Sequence, residues 1–256
     1  MAVPAEKHQQ AKITERKDYA RDLWSIRILP GERLAFKPGQ YATLGVLEGE
    51  QVVERAYSIC SSPLEDEIEF FFELVPQGEL TPRLYQLQVG DTLMIRRQAK
   101  GLFLLDGKSG HTQHFLVSTV TGVAPFVSMV RTLVRESRNG HFSNLRVVVL
   151  QAASRSWEFA YREELEALSR QHPWLTYIPT VSRPWEDVGW KGEVGRIEDV
   201  LRKYVDTLGL DPANTTAYLC GHPQMIENSK GILQRRGFAK EFIREEVYWV
   251  PKKDGK

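Results

Sequence analysis

Cysteine is nearly absent from this chain: of 256 residues only Cys60 and Cys220 are cysteines. Two thiols so far apart have no metal-ligand spacing, which argues against a protein-held iron–sulfur cluster or a zinc site. An excess of charge of either sign is also missing. Lys and Arg total 34 against 33 Asp and Glu, a formal net charge of +1, so nothing global favours nucleic acid or a charged membrane surface. Any acidic partner must be met by a local patch. No apolar run approaches the ~20 residues of a membrane span, and the polar stretch from Met1 to Gln10 has no apolar core of a signal peptide. A reducing cytosol is the expected compartment, and any electron chemistry falls to an organic group.

What is present divides in two. From Gln10 to Arg97 the chain offers short runs rich in β-branched and aromatic residues, punctuated by Pro30-Gly31, Pro38-Gly39, Ser62-Pro63, Pro76-Gln77-Gly78 and Gly90-Asp91. Six strands are expected: 11–19, 23–29, 41–47, 55–61, 68–75 and 92–96. So short an antiparallel sheet manages its edges best by curling into a barrel. After Gly101 the pattern becomes strand, loop, helix, repeated, with strands at 114–118, 145–152, 175–181 and 217–220. Helices are expected after Pro125, over about 157–170 and 196–204, and over 223–236. That alternation predicts a parallel sheet covered by helices, with ligands at the carboxyl ends of the strands. The expected domains are therefore 1–105, an antiparallel β-barrel, and 106–256, an α/β nucleotide-binding domain.

Two stretches of the first half carry chemistry. Arg55-Ala56-Tyr57-Ser58 sets a fixed cation, an aromatic face and a hydroxyl on one short strand, the groups that a flat ring with a phosphate tail needs. Read alone, it also fits an ordinary edge strand with a solvated Arg. Alternation puts Arg55 and Tyr57 on one face and Ser58 on the other. In Gly78-Glu79-Leu80-Thr81-Pro82-Arg83-Leu84, Thr81 reads as an N-cap and Pro82 as the first helical residue. Such a helix start is either a phosphate seat or a plain connector plugging the barrel. In the second half, Thr119 to Pro125 is small and hydroxylated but has the single Gly122. It therefore does not satisfy a G-x-G-x-x-G fingerprint. Ser154-Arg155, Ser182-Arg183 and Gly195-Arg196 place three arginines at neighbouring strand ends, where forked donors can converge on a phosphate. Cys220-Gly221-His222-Pro223 sets a thiol at the last strand end.

In this order these stretches, together with Tyr248-Trp249 near the end, resemble the bacterial ferredoxin/flavodoxin–NADP+ reductase family over about residues 10–250. The resemblance implies an FAD-binding barrel joined to an NADP-binding α/β domain, with hydride passing between NADPH and FAD where the two domains meet. Single electrons would then pass to or from ferredoxin or flavodoxin. It implies that Arg55 pairs with the FAD pyrophosphate, that Tyr57 packs on the flavin, with Ala56 between them, and that Ser58 hydrogen-bonds near flavin N5. Phe72, Glu73 and Leu74 would run along the flavin with their backbone, and Glu79, Leu80 and Thr81 would hold the pyrophosphate. Thr121 would touch the flavin from the second domain. Ser182, Arg183 and Arg196, with Arg155, would bind the 2′-phosphate side of NADP, and Cys220 would face the nicotinamide. Tyr248 and Trp249 would cover part of the FAD; Glu246, two residues before Tyr248, is either a proton relay or a plain surface carboxylate. As catalytic residues this makes Ser58, Cys220 and Glu246.

The chain also departs from the family. Val120 stands where glycine is usual, Arg155 falls one residue late with Ser154 at the usual position, His222 replaces a common asparagine, and a basic tail, 250–256, extends beyond the aromatic pair. Arg83, Arg96, Arg97 and Lys100 form a candidate basic rim for an acidic carrier, and the chain is expected to be a monomer. Two other functions remain open on these residues: a flavin or quinone reductase with no protein acceptor, and a flavin-binding regulatory module without turnover.

Overall fold

A computed structural model of the chain describes residues 7–49, 51–137 and 144–248. They form two compact units, one running through Leu105 and including the helix that starts at Ala124, the other made of Asp106–Val123 and the remainder of the chain.

The first unit is built on β1 (His8–Ala20), β2 (Leu23–Pro30), β3 (Tyr41–Glu48), β4 (Gln51–Ser58), β5 (Ile68–Glu73), a short helix α1 (Thr81–Gln86) and β6 (Thr92–Arg96). All pairings are antiparallel, in the order β4-β3-β6-β1-β2-β5. The two edges meet through an Ile59–Phe70 bridge and the Cys60 N–H donating to Glu69 O (2.8 Å), which closes the barrel. Its core follows from alternation. Ala11 and Ile13, Trp24, Ile26 and Ile28, Ala42 and Leu44, Ile68, Phe70 and Phe72, and Leu93 and Ile95 all turn inward, every second residue of each strand as pleating demands. Leu80 and Leu84 plug this core. Arg16 fixes the far end of α1 by donating to Tyr85 O (2.6 Å) and Leu87 O (2.8 Å) while stacking over Trp24 and Tyr85.

The second unit has a six-stranded parallel sheet in the order β10-β9-β8-β7-β11-β12. Its strands are β7 (Gln113–Thr119), β8 (Arg146–Ala153), β9 (Leu175–Val181), β10 (Glu193–Val194), β11 (Thr215–Gly221) and β12 (Ile243–Val247). Helices α2 (Ala124–Ser137), α3 (Arg162–Gln171), α4 (Ile197–Thr207) and α5 (Pro223–Arg235) follow β7, β8, β10 and β11. Ile197, Val200, Leu201 and Val205 of α4 and Met225, Ile226 and Leu233 of α5 share one core with Phe115, Val117, Leu150, Ala217 and Leu219 of the sheet. No helix among the described residues is long and apolar enough to cross a membrane.

Several elements differ from the sequence reading. Two strands, β10 and β12, were not expected: one has two residues, and the other, Ile-Arg-Glu-Glu-Val, is polar because it is an edge. The helix expected over 157–170 is a 3-10 turn at Ser156–Glu158 followed by α3. The helix after β7 groups with the first unit, although the strand-loop-helix pattern assigns it to the second. The reason is a buried polar set: Arg131 donates to Glu69 Oε2 (2.6 Å), Ser128 Oγ to Ser61 O (2.6 Å) and Thr132 Oγ1 to Ser62 Oγ (2.9 Å). Arg27 reaches the same Glu69 oxygen at 2.8 Å.

Near the start of β7, buried His114 has Nδ1 3.2 Å from Tyr218 Oη, which accepts from the Asp106 N–H (2.7 Å). Burial, opposed by Asp106 and reinforced by His111 and Arg244, holds His114 down at about 4 against an ordinary 6.5. The folded state thus refuses a proton that the unfolded chain takes up. The stability this preserves is intact above pH 6.5 and lost as pH falls towards 4, about 3 kcal/mol in all. Denaturant titrations at pH 7 and pH 4.5 should show His114→Gln losing that share of the acid destabilisation; an unchanged difference would place it elsewhere.

Candidate functional site

The first unit brings together the residues expected around a flavin. Tyr57, half-buried near the end of β4, packs edge-on against Phe72 (4.9 Å, 69°), which stacks on Trp24 (5.2 Å, 23°). The Tyr57 hydroxyl is pushed up to about 12, chiefly by burial, with Arg55 opposing. Ser58, the next residue, is buried. Tyr57 thus packs inward against the core cluster, while Arg55, two residues away, is exposed and reaches along the surface to pair with Glu79. Its Nη1 also donates to Glu54 O (2.7 Å). Phe72 and Glu73 lie opposite Trp24 and Leu23 on β2, and the Leu74 N–H donates to Asp22 O (2.8 Å). Phe72 is itself buried in the core.

At α1 the expected cap is corrected. Leu80, not Thr81, is the N-cap, already in helical conformation because its side chain is anchored in the barrel core. The Thr81 hydroxyl is used across the loop, accepting from the Val75 N–H (3.0 Å) and donating to Val75 O (3.2 Å). The loop from β5 to α1 is thereby pinned beside Arg55 and Glu79. Ala56 is exposed between Arg55 and Tyr57. A forked, permanent cation next to a half-buried aromatic and a fixed loop suits a pyrophosphate tail and a planar ring. Glu79 must give up Arg55 for that.

The second unit gathers its residues at two places. One is the end of β7 against the end of β11. The Thr119 hydroxyl accepts from the His222 N–H (3.0 Å), and a Cβ on Gly221, at φ +131°, would lie 2.3 Å from that hydroxyl oxygen. Gly122 approaches closer still: a Cβ there would stand 2.2 Å from Cys220 O and 2.7 Å from its carbonyl carbon. Between them Val120 adopts φ +39°, the left-handed region that a β-branched residue enters only under constraint. The constraint is visible, since Val120 packs against Ala153, Phe159 and Val181, and its carbonyl accepts from Gln151 Nε2 (3.3 Å). Tyr248 Oη donates to Thr121 O (3.2 Å) and shares a hydrogen bond with the Cys220 thiol. Cys220 and Glu246 are directly opposite on β11 and β12. Burial pushes the thiol well above its ordinary range, Glu246 adds to this, and Tyr248 opposes it. Cys220 is therefore a neutral thiol, not a thiolate. Trp249 and the tail 250–256 lie outside the described residues.

The other place is the corner formed by the ends of β8, β9 and β10. The Ser182 and Arg183 N–H groups donate to Ala153 O (2.9 Å) and Ser154 O (3.0 Å), while the Ser182 hydroxyl also donates to Ala153 O. Gly195 N–H donates to Val181 O (3.0 Å), and Thr180 Oγ1 to Gly195 O (2.8 Å). These bonds hold Arg155, Arg183 and Arg196 at adjoining strand ends. Arg196 is the exposed N-cap of α4. Two acidic residues were missed by sequence reasoning. Glu158 pairs with Arg155 (3.0 Å), and Glu186 pairs with both Arg155 and Arg183. The Arg183 contact spans three residues and was legible from spacing; the Arg155 contact spans 31 and was not.

Residues 10–102 match the model of an oxidoreductase FAD-binding domain and 116–231 that of an oxidoreductase NAD-binding domain. Barrel and parallel sheet are thus the two halves of a flavin- and NAD(P)-dependent oxidoreductase. The chain is 31% identical over 229 residues to a ferredoxin–NADP reductase of Pseudomonas aeruginosa, with 84% of each chain covered. It is 30% identical over 224 residues to the flavodoxin/ferredoxin–NADP reductase of Escherichia coli, covering 86% of this chain and 87% of that one. A crystal structure of a ferredoxin NADP+ reductase from Neisseria gonorrhoeae with bound FAD and NADP superposes with a TM-score of 0.83 at 25% identity, over 95% of this chain and 99% of that one. The chain belongs to the ferredoxin/flavodoxin–NADP reductase family.

The contact at Gly122 is with backbone, which has no side chain to swing away. Gly122→Ala should therefore destabilise the second unit by about 1–3 kcal/mol, read as a lower denaturant midpoint. An unchanged midpoint would mean that the two loops separate freely.

Proposed function

We propose that this reductase binds FAD on the first unit and NADP(H) on the second, and that its physiological acceptor or donor is a small acidic carrier protein, ferredoxin or flavodoxin. Bound FAD would supply the hydride exchange with a nicotinamide and the single-electron transfer that no side chain can. The chain's own residues position and shield. Arg55 neutralises the pyrophosphate, joined by the backbone of Glu79, Leu80 and Thr81, while Tyr57 lies against the ring with the backbone of Phe72, Glu73 and Leu74 alongside. Buried Ser58 offers a hydroxyl where water is excluded. In the second unit Thr121, Cys220, Glu246 and Tyr248 form one hydrogen-bonded and in-register group, in which the neutral thiol packs against the nicotinamide without competing as a nucleophile. Ser182, Arg155, Arg183 and Arg196 take the 2′-phosphate. The reading rests chiefly on that corner, where three arginines stand at the carboxyl ends of three neighbouring strands.

Replacing Arg183 and Arg196 together with Ala should raise KM for NADPH at least tenfold more than KM for NADH, measured by anaerobic bleaching of the bound flavin. Equal increases would remove the 2′-phosphate from this corner.

One observation favours a small-molecule acceptor instead. The arginines of the proposed carrier rim are largely spoken for: Arg83 pairs with Glu48 (2.7 Å), Arg97 with Glu32 (2.5 Å) and Arg96 with Glu54. Paired charges at a surface steer weakly. If a carrier protein docks there, its reduction should slow several-fold between about 50 and 300 mM salt, whereas reduction of a quinone should not. A salt-independent carrier rate would favour the small-molecule reading. The expected cytosolic location and monomeric state belong to this proposal as well.

A further inference from the structure

We propose that Glu186 occupies the seat of the nucleotide's 2′-phosphate in the free enzyme and sets how strongly the enzyme discriminates NADPH from NADH. The inference rests on the reading of the corner as the 2′-phosphate site. Glu186 Oε2 accepts from Arg155 Nε at 2.7 Å and from its Nη2, and Glu186 Oε1 lies 3.6 Å from Arg183 Nη1. A carboxylate with one oxygen on each of two guanidinium groups makes the same kind of contact as a phosphate dianion. Arg155 is thus hydrogen-bonded, and Arg183 ion-paired, to one internal anion. Arg155 holds a second one in Glu158, whose other oxygen accepts from the Ser154 N–H at 2.8 Å, tying it to the loop backbone.

The two acids therefore differ in what they can do. Glu158 is fixed to the backbone and remains when ligand arrives. Glu186 lies on the short 3-10 turn Pro184–Glu186 that follows Arg183 directly, and its side chain is one-third exposed. Of the two, it is the carboxylate that can swing out. Binding of the 2′-phosphate must displace it and then tolerate it nearby, while a nucleotide without that phosphate leaves it in place. Glu186 consequently lowers affinity for the phosphorylated nucleotide selectively. Removing one negative charge a few ångströms from a dianion at a solvated surface is worth about a five- to tenfold change in binding.

The test is calorimetric titration of the FAD-loaded enzyme with 2′,5′-ADP and with 5′-AMP, comparing wild type, Glu186→Gln and Arg183→Ala. Glu186→Gln should bind 2′,5′-ADP five- to tenfold more tightly and leave 5′-AMP within twofold. Unchanged or weaker 2′,5′-ADP binding in Glu186→Gln, while Arg183→Ala weakens it, would overturn the role of Glu186 and leave the site where it is. Indifference of 2′,5′-ADP to Arg183→Ala would overturn the site itself and the inference with it.

Discussion

Glu69 is a carboxylate with almost no solvent, and its charge decides how the first unit is assembled. Two guanidinium groups converge on one of its oxygens, Arg27 from the neighbouring strand and Arg131 from α2. A buried carboxylate needs its charge matched, and α2, laid against the barrel edge at β5, brings the second of the two guanidinium groups that do so. The serines and threonine around the pair do the same for the turn after β4, where the Ser61 carbonyl and the Ser62 hydroxyl are held by Ser128 and Thr132. That turn follows directly on Tyr57 and Ser58. Tyr57 and Ser58 are thus followed by a turn held by a helix that enters from later in the sequence.

The sequence was most readable where burial imposes a period. Trp24, Ile26 and Ile28 alternate because one face of β2 is core, and the continuous apolar runs of β7 and β8 announce strands covered on both sides. It was least readable where an element is held by its neighbours. β12 is a strand because β11 offers it a free edge, and its own residues favour no such assignment. Thr81 looks like a cap and is not one, since Leu80 is drawn into the core and starts the helix a residue early. The grouping of α2 depends on Glu69, 62 residues away from Arg131, a separation that no local pattern reveals.

The cations and aromatics of the candidate site were more legible than the pairings of its anions. Arg55, Arg155 and Arg183 stand out beside Ser, Gly and Tyr at strand ends, and backbone pairing carries them to the expected places. Glu79, Glu158 and Glu186 pair with them through side chains whose sequence separations range from 3 to 31. Three arginines at adjoining strand ends repel one another. Glu158 and Glu186 offset that charge in this structure, and motif resemblance, which attends to the arginines, is silent on them.

Val120 has one more implication. Its side chain completes a small apolar cluster with Ala153, Phe159 and Val181, and Trp190, at the far end of the loop that carries Arg183 and Glu186, packs on the same cluster. The loop after β7 and the arginine loop therefore rest on one foundation. A valine forced into a backbone conformation that costs ~1–2 kcal/mol works as a tensioned wedge between them. Any change that loosens the cluster is therefore felt by both loops at once, through three buried side chains.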